Sequence, residues 1–427
     1  MRKKAHFTTV NLKLVKLITV LFLAFSWHAG YCQRAGQIHN VSDTAKKVLI
    51  HYMGWFGDTI SEEVNNDILR HWKYGHANTP MTGYYDSKSN SLLTYHVLLS
   101  WSCGIDGIVI NVKDTYDDIC MRALIKTVQY LRDIDSVNFV YDFGISYDDQ
   151  GFDLASPYDT TIVKLSYLRD SILPVLPCYL KYNGRPAIFV FDYPEKYITA
   201  KKLRGVLDEV FDSAPPILIW NSLEDKENSK AFVDAFYPWV QPGSKGWDKN
   251  GANWGKDFLD WYYPKVNEIN YGNSYVFTCG GVWPGFDDRK NTSWGGNRLI
   301  DRDEGTTYEA TWNYVLNYRG KLPLNWVVIE TWNDWNEGTE IEPSLEDGYK
   351  YLLSTIKKVN SFKEIHIDED VIKFEAARKI YEASLLIERG LPDTDKYNPV
   401  LEESIKSFIR KEFSTSEKMA DSVIHAL

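Results

Sequence analysis

Asp334 and Glu337 stand three residues apart in the run VIETWNDWNEGTEIEP at positions 328–343. Two carboxyls at this spacing, at the end of a strand, can flank one bond. Splitting a glycosidic bond needs such a pair, one carboxyl to protonate the leaving oxygen and the other to act as base or nucleophile. A second reading of the same residues stays open, because Asp and Asn at a strand-to-helix junction also cap free helix N–H groups, with Glu340 and Glu342 as surface charges. Other chemistries leave no trace. The nine histidines form no HExxH or paired-ligand spacing, and the stretches DDICM and DDRKN lack a calcium-loop pattern. Neither a glycine-rich phosphate loop nor a GxSxG elbow occurs. No metal and no cofactor are expected.

The elements that must position this pair are short β-rich runs separated by helical stretches. Strands are predicted at 48–56 (VLIHYMGWF), 105–112, 138–145, 186–193, 216–221, 235–240, 274–280 and 326–331, with a helix over 92–103 before the second. Strands alternating with helices mean βαβ units and a parallel sheet. Eight of them predict an α/β fold of the (β/α)₈ TIM-barrel type, with a doubly wound open sheet as the alternative. Nearly every strand ends in polar or aromatic residues: Trp55, Asn111 and Lys113, Asp142, Asp192 and Tyr193, and Asn221. In a barrel these ends converge on one mouth.

Long connections at 57–91, 241–263 and 281–305 are rich in Gly, Asn, Trp and Tyr. Loops of that length over a barrel mouth are usually functional. Beyond about residue 366 the texture changes to Lys, Glu, Ala, Ile and Leu at helical spacing, with a Gly-Leu-Pro break at 390–392, and predicts a C-terminal helical extension over 366–427. The catalytic barrel is assigned to 33–365.

The first 32 residues carry a separate message. Arg2, Lys3 and Lys4 precede an apolar run from Leu17 to Phe25, and small residues lead to Cys32 and Gln33. That order reads as a secretory signal with cleavage near Cys32, and predicts export to the periplasm, the exterior or the cell surface. A lipid anchor at Cys32 is the competing reading, against which Tyr31 stands where a small residue belongs. No later segment has the ~20 apolar residues of a membrane span. Cys103, Cys120, Cys178 and Cys279 show no CxxC and no disulfide framework. A formal net charge of −10 argues against a nucleic-acid partner. The 15 Trp, 28 Tyr and 19 Phe suit both a large core and the stacking of sugar rings. Oligomeric state is left open.

The motif at 332–342 resembles the last-strand motif of glycoside hydrolase family 99, the endo-α-mannosidase group, Asn-Glu-Trp-His-Glu-Gly-Thr-Gln-Ile-Glu. It also resembles the Trp-Asn-Asp-Tyr-Gly-Glu motif of family 71, the α-1,3-glucanases. VWPGFDD at 282–288 with Trp294 and Tyr308, and HYMGWF with GIDGIVI near the amino end, are similar to family 99 segments, so the likeness spans His51 to Pro343. The resemblance implies a glycoside hydrolase acting on α-mannosides in an oligosaccharide or polysaccharide, with endo action expected and exo action left open. Glu337 would match the family 99 general acid. Asp334 would match the base that acts on the sugar's own 2-hydroxyl, one methylene shorter than the family's Glu. That shortening leaves room for water and keeps an inverting, family 71-like α-1,3-glucanase open, as well as a non-catalytic carbohydrate-binding barrel. Tyr52, Trp55, Asp86, His96, Asn111, Trp283, Asp287, Trp332 and Asn333 are expected to line the substrate subsites.

Overall fold

The computed structural model describes residues 45–57, 70–148, 156–191, 198–212, 214–221, 231–272, 278–389 and 394–427. The expected signal segment with Cys32, the polar pair Asp192 and Tyr193, and the break at 390–392 lie outside the described residues. In chain order the elements are β1 (Lys47–Met53), α1 (Asn90–Ser102), β2 (Gly107–Val112), α2 (Thr115–Ile134), β3 (Asp142–Asp148), α3 (Pro157–Tyr167), β4 (Lys181–Tyr182), β5 (Arg185–Phe191) and α4 (Ala200–Phe211). There follow β6 (Ile217–Trp220), β7 (Ala235–Phe236), α5 (Lys256–Gly272), β8 (Thr278–Val282), β9 (Phe286–Asp287), β10 (Leu299–Ile300), α6 (Thr306–Tyr318), β11 (Leu324–Ile329), α7 (Lys350–Lys363), α8 (Ile372–Glu388), α9 (Asn398–Ile409) and α10 (Phe413–Ala426).

Eight strands pair in parallel in the order β7-β6-β5-β3-β2-β1-β11-β8, while the two-residue β4 pairs antiparallel with β5. All eight strands expected from the sequence are present. The seam between the outer strands is drawn together by Tyr262, whose hydroxyl lies 3.1 Å from the Phe236 carbonyl of β7 and 2.8 Å from the Cys279 carbonyl of β8. Gly281 permits this approach, since a Cβ there would stand 2.5 Å from the Pro238 carbonyl oxygen. The result is a nearly closed (β/α)₈ barrel with helical segments on its outside.

Strand parity sorts the side chains into two sets. Leu49, Val109, Phe189, Ile219, Ala235, Cys279 and Val328 meet inside the barrel. Their neighbours Ile50, Ile110, Ile145, Ile188, Leu218, Phe236 and Ile329 belong to the larger core between strands and helices. The filled interior is therefore a packed plug, and a ligand can only enter at an end.

Helix starts are chemically marked. Asp114 and Asp117 form a reciprocal capping box on α2, and Ser89 and Thr199 cap α1 and α4. The last three helices pack on the barrel through α1: Tyr95 stacks on Tyr381 at 5.3 Å, and Glu388 accepts the Ser91 backbone N–H at 3.1 Å. Among the described residues no helix is long and apolar enough to cross a membrane, and the four cysteines are buried free thiols.

The third strand corrects one expectation. It runs from Asp142 to Asp148 rather than over 138–145. Asp142 therefore lies at the amino end, paired in register with Gly107 and ion-paired with Lys47 at the start of β1. Asp148 is the residue that reaches the mouth. The alternation Phe143, Ile145, Tyr147 toward the helices was the usable signal, and the apolar run before it hid the true start.

Candidate active site at the barrel mouth

Beyond β11 the chain continues into a tight loop that folds on itself rather than into a helix. Glu330 keeps the ladder going by donating its N–H to the Val282 carbonyl at 2.9 Å. Thr331 and Thr339 then close the loop, N–H to carbonyl at 2.9 Å and hydroxyl to hydroxyl at 3.0 Å. Asp334 is held at its apex by its own N–H, which donates to Thr331 Oγ1 at 2.8 Å, and it accepts the Glu337 N–H on Oδ1 at 3.1 Å. Capping thus does occur, in a turn rather than at a helix start. Gly338 follows with φ 61°, and a Cβ there would stand 2.9 Å from the Asp287 nitrogen. That close approach lets the Asp287 N–H reach the Glu337 carbonyl at 2.6 Å, tying the loop to β9.

Glu337 faces the short hairpin formed by β9 and β10. The Trp294 indole N–H donates to Glu337 Oε1 at 3.0 Å, and Arg298 Nη2 stands 3.8 Å from the same oxygen. Arg298 is itself fixed by the fully buried Asp288, Nε to Oδ2 at 2.6 Å, and lies over the Phe286 and Trp247 rings. Burial pushes both carboxyls above their usual range. For Asp334 the charge of Glu337 adds to burial, whereas for Glu337 the Arg298 guanidinium and the Trp294 N–H pull the other way. The charge of Glu337 thus favours the neutral form of Asp334. The donors on Glu337 favour its charged form.

An aromatic wall stands beside Glu337. Trp55 stacks on His71 with centroids 4.9 Å apart, and the half-exposed Trp294 meets Trp55 at 6.3 Å, His71 at 5.3 Å and Tyr74 at 5.7 Å. Burial, reinforced by Arg70 and Lys113, keeps His71 neutral by lowering its pKa well below the ordinary value.

The expected lining residues fall into distinct places. Trp55 joins the wall, Asn111 lies on the floor with its Nδ2 3.4 Å from Asp148 Oδ2, and Asp287 sits at the rim, chelated by Arg289 at 2.8 and 2.7 Å. The others are enclosed in packing. Asn333 clasps both backbone groups of Met53, at 2.8 and 2.9 Å. Tyr52 bonds His96 at 3.1 Å, and His96 bonds Glu342 at 3.0 Å, all three being buried, with the Trp332 ring against His96 at 5.4 Å. Glu342 also accepts from Tyr85 at 2.8 Å and from Trp335 at 3.2 Å. Tyr52, His96 and Asn333 are enclosed with their polar atoms already paired and brace the loop from behind, while the buried Trp332 indole N–H has no partner among the described residues. Asp86 accepts the Tyr116 hydroxyl at 2.9 Å, and Trp283 donates its indole N–H to the Trp254 carbonyl at 3.1 Å. Both act in packing outside the cluster around Glu337.

Sequence reasoning missed the inward-facing polar residues one step above the apolar plug: His51 on β1, Ser146 and Asp148 on β3, Tyr237 and Trp239 just beyond β7, and Glu330 beyond β11. Their signal was strand parity. A polar residue two positions after an interior apolar one, as in Leu49 to His51 or Val328 to Glu330, must share its face. Among the described residues no group of His, Cys, Asp and Glu is arranged to hold a metal ion.

This architecture has counterparts. A GH99 endo-α-mannosidase from Bacteroides thetaiotaomicron superposes with a TM-score of 0.59 at 16% identity, covering 74% of this chain and 97% of that one. The fold is that of the GH99 barrels. A protein described as glycoside hydrolase-like superposes with a TM-score of 0.56 at 12% identity, over 74% of this chain and 94% of its own. In sequence, the chain is 24% identical over 347 residues to the glycoprotein endo-α-1,2-mannosidase of Xenopus laevis, 69% of each. A domain of unknown function, DUF5010, matches residues 175–376, which include the loop carrying Asp334 and Glu337.

Proposed function

We propose that the protein is a glycoside hydrolase that cleaves α-mannosidic bonds within a glycan or polysaccharide, with Asp334 and Glu337 as its carboxylate pair. The observation that carries this reading is the placement of both carboxyls on one short loop at the carboxyl end of a barrel strand, with Glu337 facing an aromatic wall. The sequence and fold likeness to endo-α-mannosidases supports the mannoside and the endo action. In this reading Glu337 protonates the departing oxygen and Asp334 acts as the base, so Glu337 carries a proton and Asp334 is ionised when the bond breaks. Trp294 and Arg298 then stabilise the carboxylate that proton transfer leaves behind. The exposed Trp294 and Trp247 offer ring surface for sugars, with Trp55 backing the wall. The amino-terminal 32 residues act as an export signal, and a glycan outside the cytoplasm is the substrate.

The test is release of reducing sugar from a panel of α-mannans and α-1,3-glucans, with Glu337→Gln as control. Loss of a general acid is expected to slow hydrolysis by at least about a hundredfold. Hydrolysis unchanged by that substitution removes Glu337 as the acid, and following the product anomer by NMR separates retention from inversion. One observation favours a second reading, a carbohydrate-binding barrel without turnover: Asp334 is 1% exposed and its Oδ1 is engaged by the Glu337 N–H. Sugar binding with no hydrolysis of any panel member supports that reading instead.

A further inference from the structure

Beneath the carboxylates, the barrel interior changes character within one residue step. The layer of Leu49, Val109, Phe189, Ile219, Ala235, Cys279 and Val328 is apolar. Directly above it, His51 and Glu330 lie side by side, one residue beyond the Ile50–Ile329 pair of β1 and β11, and Asn111 follows on β2. His51 Nδ1 and Glu330 Oε2 are 2.9 Å apart, with the residues 1% and 0% exposed. His51 Nε2, Glu330 Oε1 and Asn111 Oδ1 have no hydrogen-bond partner among the described residues. Each unmatched buried polar atom costs roughly 1–3 kcal/mol, and three on neighbouring strands serve no need of the barrel's own packing.

We propose that His51, Glu330 and Asn111 form a floor that reads the ring hydroxyls of the neutral hexopyranose seated deepest in the mouth. The inference rests on the glycosidase reading of this cleft. The chemistry of the three atoms selects the ligand. The His51–Glu330 hydrogen bond occupies Nδ1 and Oε2 and leaves Nε2, Oε1 and Asn111 Oδ1 to be matched from the mouth. Ring hydroxyls both donate and accept, so one uncharged sugar can satisfy all three atoms. Aromatic surface lies beside it: the half-buried Trp239 meets His51 edge-on at 5.2 Å, and Tyr237 lies 6.4 Å away. The floor extends to β3, where Asn111 Nδ2 lies 3.4 Å from Asp148 Oδ2.

The experiment is calorimetric titration of α-1,2-mannobiose into the full chain carrying Glu337→Gln, which binds without turning over. Into that background Glu330→Gln, His51→Asn and His51→Gln are placed separately, with thermal unfolding recorded for each. Glu330→Gln and His51→Asn are expected to weaken binding on the order of tenfold, about 1.4 kcal/mol. His51→Gln should keep most of the affinity, because its amide sits where Nε2 sat, whereas the shorter Asn restores only the Nδ1 side. If a variant of the pair does not fold, Asn111→Ala reads the same floor from β2 with the same expected loss. Absence of mannobiose binding by the Glu337→Gln protein overturns the glycosidase reading and this floor with it. Full affinity in the folded floor variants overturns the floor alone.

Discussion

Trp294 donates its indole N–H to Glu337 Oε1 at 3.0 Å, from a hairpin forty-three residues upstream of the carboxylate. This contact stabilises the charged form of a carboxyl that burial otherwise pushes toward the neutral one. If Glu337 is the acid of the proposed reaction, this contact helps set the pH range over which it acts.

Trp294→Phe keeps the aromatic wall and removes the donor. The Glu337 carboxyl should then hold its proton to higher pH, and a general acid with a raised pKa carries activity further into the alkaline range. The alkaline limb of the kcat/KM profile is expected to move up. A limb that stays put or moves down would show that Glu337 is not the acid.

Glu340 makes a second pH test, this time of stability. Burial pushes its carboxyl from the ordinary 4.5 up to about 7, against the opposing pull of Arg302. A folded-state value above the unfolded one means that the folded protein binds the extra proton, so this contribution is complete below about pH 4.5 and is lost as pH rises through about 7. Glu340→Gln escapes that loss. The unfolding free energy of the variant relative to the parent should rise by about 2–3 kcal/mol between pH 5 and 8. Parallel curves would contradict the shift.

Gly338 joins a left-handed φ of 61° to a backbone approach that a methyl group would block. Gly338→Ala is expected to lower stability by about 1–3 kcal/mol in urea unfolding. It should also reduce kcat, because Glu337 is the preceding residue. A variant with normal stability and turnover would mean that the loop relaxes freely.

Asn333 pins the loop to β1 through both polar groups of Met53, and Glu342 pins it to α1 through His96. Asn333→Ala leaves two buried backbone groups unmatched and should cost about 2–4 kcal/mol. Glu342→Gln replaces one acceptor oxygen with a donor facing His96 or the Tyr85–Trp335 pair, with an expected loss of about 1–3 kcal/mol. As positioning residues, both should lower kcat more than they raise KM. A rise in KM alone would place them in direct contact with sugar.

Much of the barrel was legible in the chain. Short β-rich runs such as VLIHYM and WVVIET alternate with amphipathic helices, and that rhythm by itself determined a parallel sheet and put Asp334 and Glu337 just past a strand. Local chemistry sufficed because strand propensity and capping act over a few residues. Depth and facing were decided only by the tertiary structure. Which residues reach the mouth depends on where a strand begins and ends, so placing β3 at 138–145 instead of Asp142–Asp148 sent Asp142 to the wrong end and concealed Asp148. Tyr52 and His96 read as equal to Trp55 in sequence, yet closure of the barrel enclosed them behind the loop. His51 and Glu330 meet across 279 positions because β1 and β11 become neighbours when the sheet curls. No local pattern encodes that contact.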